Sequence, residues 1–235
     1  MTDDTTAPPH PQRRTPTLFG RTRGKKLRGV HSGLMAGLLP ALSIDLSQPI
    51  EPATLFGAPV DDLWLEIGFG GGEHLALEAL AHAQIGHIGA EPFINGVAKA
   101  LALIAEHDLK NVRMHAGDAG AVIDALPAAS LGRVYLLYPD PWPKRRQLKR
   151  RFVSDAMLTR LARVMRPGAE LRFATDIDDY AGWTLARVLR SADFEWRAQS
   201  AADWMIAWEG WQATRYEDKA RRAGRGSAYL TFVRR

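Results

Sequence analysis

Five carboxylates recur at the ends of five successive apolar runs. They are Glu66 in "LWLEIGF", Glu91 in "IGHIGAE", Asp118 in "VRMHAGD", Asp140 in "VYLLYPD" and Asp176 in "LRFATD". In an open α/β sheet, ligands bind outside the carboxyl ends of the strands, near the switch in strand order. Acids gathered there can accept bonds from ribose hydroxyls, an amino group or a base edge. They can also balance a cation. One such acid alone would read as an ordinary helix N-cap. Five at one edge point to a functional cluster.

The first acid leads into a glycine loop, "LEIGFGGGEHL". Gly68, Gly70 and Gly72 allow close backbone approach to a ligand between strand and helix. A dinucleotide fingerprint needs glycine at position 73, where Glu73 stands. An acid beside a pyrophosphate site is unfavourable. It is tolerable beside S-adenosylmethionine, which has no phosphate and carries a sulfonium and an ammonium group. The competing reading is a glycine-rich turn with no ligand. Glu91 is placed to accept ribose hydroxyls, a role that does not separate a nicotinamide cofactor from S-adenosylmethionine. Asp118 is placed to accept an adenine amino group.

The fourth acid opens "YPDPWPKRRQLKRRF". Pro139, Pro141 and Pro143 restrict the backbone around Asp140. Six of the eight residues at 144–151 are Lys or Arg. Lys144 suits a phosphate or a guanine carbonyl. Arg145, Arg146, Lys149, Arg150 and Arg151 suit a polyanion backbone, and a solvated helix start is the alternative. Trp142 is either a stacking wall or core. A second basic cluster of seven Lys or Arg lies between positions 11 and 30, in a chain of net charge +5. Segregated basic clusters are the footprint of a nucleic-acid binder.

The elements that must position these residues alternate strand and helix from position 61 onward, which predicts a mostly parallel sheet covered on both faces. Residues 1–30 read as a basic, unstructured arm. Residues 31–60 read as a connector with a short helix ending near Pro40, and 61–235 as the main domain. "RPG" at 166–168 should stop a helix. Trp204 and Trp208 are four apart and suit one helix face, and Thr214 to Glu217 follow them in a loop. The chain has no cysteine, no apolar run long enough to span a bilayer, no signal-like start and no H-E-x-x-H. These exclude disulfides and thiolate chemistry, predict no metal site and no membrane partner, and suit the cytoplasm.

The set "LEIGFGGGEHL", "GAEPF", "AGDA", "LLYPDPWPKRRQLKRRF", "FATDIDDYAGW" and "TRYEDKARRAG" resembles the bacterial tRNA (guanine-N7-)-methyltransferase family, TrmB type. The resemblance runs from about position 29 to the end, and the "PDPWPK" to "KRRF" segment is its specific part. It implies a Rossmann-like class I methyltransferase fold. That is an α/β architecture with a seven-stranded, mostly parallel sheet, helices on both faces and the last strand antiparallel. It implies S-adenosyl-L-methionine as methyl donor, tRNA as partner and the variable-loop guanosine as acceptor. By position, Glu66, Gly68, Gly70, Glu91, Asp118 and Asp140 match the cofactor site, and Asp140 the catalytic residue. Lys144, Asp176, Thr214, Arg215, Tyr216 and Glu217 match substrate-binding positions. Arg146, Gln147, Leu148, Lys149, Arg150 and Arg151 match the RNA-contact segment. The family often has His at Pro143 and Lys-Phe at Arg215-Tyr216. Two rivals stand beside this reading. One is a non-catalytic RNA-binding protein on the same fold, which has no use for the acids. The other is a nicotinamide-dependent oxidoreductase, which Glu73 opposes. Monomer and homodimer both stay open.

Overall fold

The computed structural model describes residues 19–235. The apolar runs form a seven-stranded sheet in the order β3-β2-β1-β4-β5-β7-β6. The strands are β1 (Asp62–Ile67), β2 (Ile85–Ala90), β3 (Val112–His115), β4 (Leu131–Leu137), β5 (Met165–Thr175), β6 (Phe194–Trp196) and β7 (Ala228–Arg234). The first five pair in parallel, and β7 runs antiparallel to both β5 and β6. From β1 the chain winds outward through β2 and β3, then returns to place β4 on its other side. That reversal opens a crevice above the β1–β4 boundary.

The helices are α1 (Val30–Leu42), α2 (Pro52–Leu55), α3 (Glu73–Ala81), α4 (Ile94–Glu106), α5 (Ala119–Ala125), α6 (Asp155–Val164), α7 (Asp178–Val188), α8 (Ala202–Met205) and α9 (Arg215–Arg222). Leu75, Val97, Leu101 and Ile104 of α3 and α4 pack with Val112 and Met114 in one core cluster. Val122, Leu161 and Val188 of α5, α6 and α7 pack with Leu65, Leu136 and Phe173 in the other. The two-sided burial explains why β1 and β2 are apolar without alternation. Ser154 caps α6 by accepting the Met157 N–H at 3.2 Å.

The α1 helix ends at Leu42, near Pro40 as expected, while several other expectations need correction. Proline removes one helical hydrogen bond, but Leu34, Met35, Leu38, Leu39 and Leu42 all pack on the α3–α4 cluster and hold the last turn. α6 stops at Val164, and Arg166, Pro167 and Gly168 enter β5, where its register with β4 shifts. Trp204 and Trp208 do not share a helix, because α8 ends at Met205. Trp208 instead donates its indole N–H to Thr231 Oγ1 on β7 at 2.8 Å. Residues 214–217 are not a loop: Thr214 caps α9 by accepting the Glu217 N–H at 3.2 Å.

The expected arm lies partly outside the described residues. Residues 19–29 have neither helix nor strand, yet they are fastened to the body. The first N–H groups of a helix lack internal partners, and α4 has no side-chain cap. The arm supplies one acceptor: Ile94 N–H donates to Thr22 O at 3.0 Å. Asn95 completes the clasp, accepting the Gly24 N–H at 2.6 Å and donating to Lys25 O at 2.7 Å. Residues 31–60 are tied down as well, with Ile44 N–H on Met114 O and Ile50 N–H on Ala125 O.

Candidate active site

A cleft of about 530 Å³ opens where β1, β2 and β4 end. Gly68, Gly70, Glu91, Asp118, Asp140 and Trp142 line it, and Phe19, Gly20 and Arg21 of the arm close one side. Its volume is in the range of small-molecule sites.

The glycine loop forms the floor. Gly68, Gly70 and Gly72 have φ of 72°, 59° and 81°, a region that side chains with Cβ rarely adopt. A Cβ on Gly68 would meet nothing within 4 Å, so the space before it is free for a ligand. On its other side the loop lies flat against α4. A Cβ on Gly96 would overlap the Gly70 carbonyl oxygen, and one on Gly72 would overlap Ala100. Glu91 ties the same loop to the second strand. Its Oε2 accepts the Gly70 N–H at 2.7 Å and its Oε1 the Phe93 N–H at 2.8 Å. Burial raises the Glu91 carboxyl above its ordinary value, although those two N–H groups favour the anion. Each oxygen keeps a lone pair for a ligand hydroxyl. Asp118 stands at the N-cap position of α5 but makes no side-chain cap bond, so its carboxylate is not spent on the helix. The Glu73 side chain lies beside Gly71, which places negative charge where a pyrophosphate would need none. Acids and an open glycine thus surround the space above the loop.

Asp140 sits on the cleft rim in a constrained turn. Tyr138 and Trp142, on either side of the Pro139-Asp140-Pro141 unit, have φ of 48° and 43°. Such backbone costs on the order of 1–3 kcal/mol per residue and persists only when its surroundings enforce it. Three contacts do so. Tyr138 N–H donates to Ala174 O at 2.7 Å, and its hydroxyl pairs with Ser227 Oγ at 2.9 Å. Arg151 Nε donates to Pro141 O at 2.8 Å. Partial desolvation at the rim raises the Asp140 carboxyl above its ordinary value.

The basic segment is less uniform than its sequence. Residues 145–150 form a 3-10 turn, with Arg145, Arg146 and Lys149 exposed, as is Lys144 before them. Gln147 and Leu148 are half-buried. Arg150 lies over the rings of both Phe19 and Trp142, 5.0 Å from each centroid. Arg151 must be removed from the expected RNA contacts. It is buried, ion-paired with Asp179 and stacked on Tyr180 and Trp183. Its charge braces the Asp140 turn from inside.

The remaining expected residues divide. Glu66 is absent from the main cleft and lines a smaller pocket with Thr214, Arg215 and Tyr216. The two cavities share Gly68, Leu137, Tyr138 and Tyr216. Asp176 lies outside both, paired with Arg225 at 2.7 Å. Glu217 is buried and also engaged, accepting from Trp211 Nε1 at 2.7 Å and Arg221 at 2.8 Å. Lys144, Arg146, Gln147 and Leu148 do not line the cleft. Phe19, Gly20 and Arg21 went unforeseen. The available sign was Phe19 itself, an aromatic in a segment otherwise poor in apolar residues.

A strand order with a reversal beside β1 and an antiparallel β7 define the class I methyltransferase fold. The fold is shared with a structure of TrmN from Thermus thermophilus, at TM-score 0.52 and 13% identity over 78% of this chain and 47% of that one. A rRNA methylase from Streptococcus thermophilus matches at TM-score 0.50 and 8% identity, covering 75% and 88%. The family model described as "Putative methyltransferase" matches residues 61–230. A protein of Nitrobacter hamburgensis is 52% identical over 98% of this chain and 91% of its own length. One of Brucella melitensis is 54% identical over 96% and 98%. Both are named tRNA (guanine-N(7)-)-methyltransferase. The chain belongs to the tRNA (guanine-N7-)-methyltransferase family.

Proposed function

We infer that this protein transfers a methyl group from S-adenosyl-L-methionine to N7 of the variable-loop guanosine of tRNA, giving 7-methylguanosine. The observation that carries the reading is the Asp140 turn. It sets one carboxylate on the rim of the cleft and continues directly into the exposed cations Lys144, Arg146 and Lys149.

The cofactor supplies a methyl carbon made electrophilic by its sulfonium. N7 of a neutral guanine has a lone pair and no proton, so no base is needed to prepare it. The chain's residues have two tasks: to align N7 with that carbon, and to accommodate positive charge as it grows on the purine. Alignment alone supplies much of the acceleration. Glu91 and Asp118 hold the cofactor by its ribose and adenine edges. Asp140 accepts from the N1–H and amino edge of the guanine, which orients the base and favours its developing cation. Lys144, exposed outside the cleft, meets a phosphate of the tRNA, and Tyr216 borders the guanine. Asp176 and Glu217 reach it only by exchanging their present partners, Arg225 for the first and Trp211 with Arg221 for the second. Arg146, Lys149 and Arg150 hold the tRNA backbone. No helix among the described residues is long and apolar enough to cross a membrane.

The test is incubation with labelled S-adenosylmethionine and unmodified tRNA, followed by nucleoside analysis. We expect labelled 7-methylguanosine from the variable loop. Binding of tRNA without that product would instead support an RNA-binding role.

A further inference from the structure

His74 is the second residue of α3, the helix that follows the glycine loop, and it is buried. Its Nδ1 lies 2.8 Å from Glu66 Oε2. An ionised carboxylate only accepts, so Nδ1 carries a hydrogen. Its Nε2 is buried without a hydrogen-bond partner and faces Glu78 Oε1 at 3.8 Å. A bare nitrogen aimed at a carboxylate is unfavourable; a second N–H there is favourable. The ring is fixed by Tyr135, whose centroid is 4.6 Å away, and by Trp211 at 5.2 Å.

The titratable groups around the ring are Glu66 from β1, Glu78 from its own helix, His87 from β2, Tyr135 from β4 and Arg172 from β5. Burial opposes the imidazolium, as does Arg172. The two carboxylates outweigh both, so the proton is held above the ordinary histidine value. His87 shows the contrast: no carboxylate hydrogen-bonds to it, and burial outweighs the pull of Glu78 and lowers it to about 4.

Glu66 is the only acid of the expected cofactor set on this side of the loop, and His74 is its hydrogen-bond partner among the described residues. Its other oxygen, Oε1, has none there. We propose that His74 is a positioning residue for the cofactor: its imidazolium grips Oε2 of Glu66 and leaves Oε1 to a cationic group of the ligand. The proposal rests on the S-adenosylmethionine reading. It has a linkage consequence. The imidazolium and the ligand cation share one carboxylate, so each weakens the other. Binding therefore expels a proton from His74, and affinity rises as pH rises through its titration.

The probe is S-adenosylhomocysteine, which keeps the ammonium group and is not turned over. Its affinity for the full chain is measured by calorimetry between about pH 6 and pH 8.5, beside His74→Gln and His74→Leu. Histidine ring signals are followed by NMR, with His74 assigned by its loss in the Gln variant. We expect a dissociation constant that falls about 3- to 10-fold across this window in the native chain. The His74 signal should titrate above the ordinary value and shift to lower pH when the probe binds. His74→Gln keeps a donor without a charge and should lose the His74-dependent part of the pH response. His74→Leu should weaken binding at least about tenfold at every pH. If the Leu variant does not fold, the native titration and the Gln variant still decide. An equal pH response in His74→Gln, or a His74 signal unmoved by the probe, overturns the proposal. A native chain that does not bind the probe at all overturns the methyltransferase reading itself.

Discussion

At the scale of single residues, Asp140 makes the sharpest demand. Asp140→Asn keeps the size of the side chain and removes its charge. We expect kcat to fall about 10²- to 10³-fold, the usual cost of removing one electrostatic contact to a developing charge. The tRNA dissociation constant should stay within about twofold, and loss of binding to the same extent would refute the catalytic assignment. The pH dependence has a definite sign. The ionised form is the active one, and burial raises its proton affinity. Activity is therefore complete at neutral pH and is lost as pH falls through a value above that of an ordinary aspartate. That limb should appear in kcat/KM, which reports the free enzyme, and be absent from Asp140→Asn. The acid was legible in the sequence because prolines surround it. Arg151 looks like one more surface cation for an equally plain reason: Asp179, Tyr180 and Trp183, which draw it inward, lie about 30 residues further on. Nothing in a run of cations marks the one that turns toward the core.

At the scale of elements, the glycine loop and α4 act as one unit, because Gly96 lets the helix touch the Gly70 carbonyl. Gly96→Ala should push the loop off the helix and weaken S-adenosylhomocysteine binding at least about tenfold. Gly37→Ala is the control. It lies in α1 with nothing within 4 Å, so alanine there should be neutral or stabilise by up to ~1 kcal/mol. Calorimetry and thermal melts separate the two, and equal effects would show that the contact is incidental. The loop itself was readable from its glycine spacing. Gly96 was not, since within "FINGVAKALALIAEHD" it looks like any helix glycine. Its meaning depends on a backbone oxygen 26 residues earlier. The same limit explains Thr214, whose capping role requires knowing that a helix starts beside it.

At the scale of the whole molecule, the alternation of strand and helix predicted the layers and the edge where ligands gather. It could not show that the arm would clasp α4, or that Glu66 would face a separate pocket. The partition of the basic segment is testable through salt. Replacing both Arg146 and Lys149 with alanine should reduce the slope of log K against log[salt] for tRNA by about 1 to 2, with little change in melting temperature. Arg151→Met should do the reverse, leaving the slope intact and destabilising the fold by ~1–3 kcal/mol through lost hydrogen bonds and stacking. A changed slope for Arg151→Met would return it to the RNA surface. The left-handed backbone at Tyr138 and Trp142 has one more consequence. Selection for heat resistance alone would favour glycine or asparagine at such positions, since either relieves the torsion. Each relaxed variant would also let the acid between them wander. In this turn thermal robustness and catalytic aim pull in opposite directions, so its stiffness is a property that selection for a tougher protein would erode first.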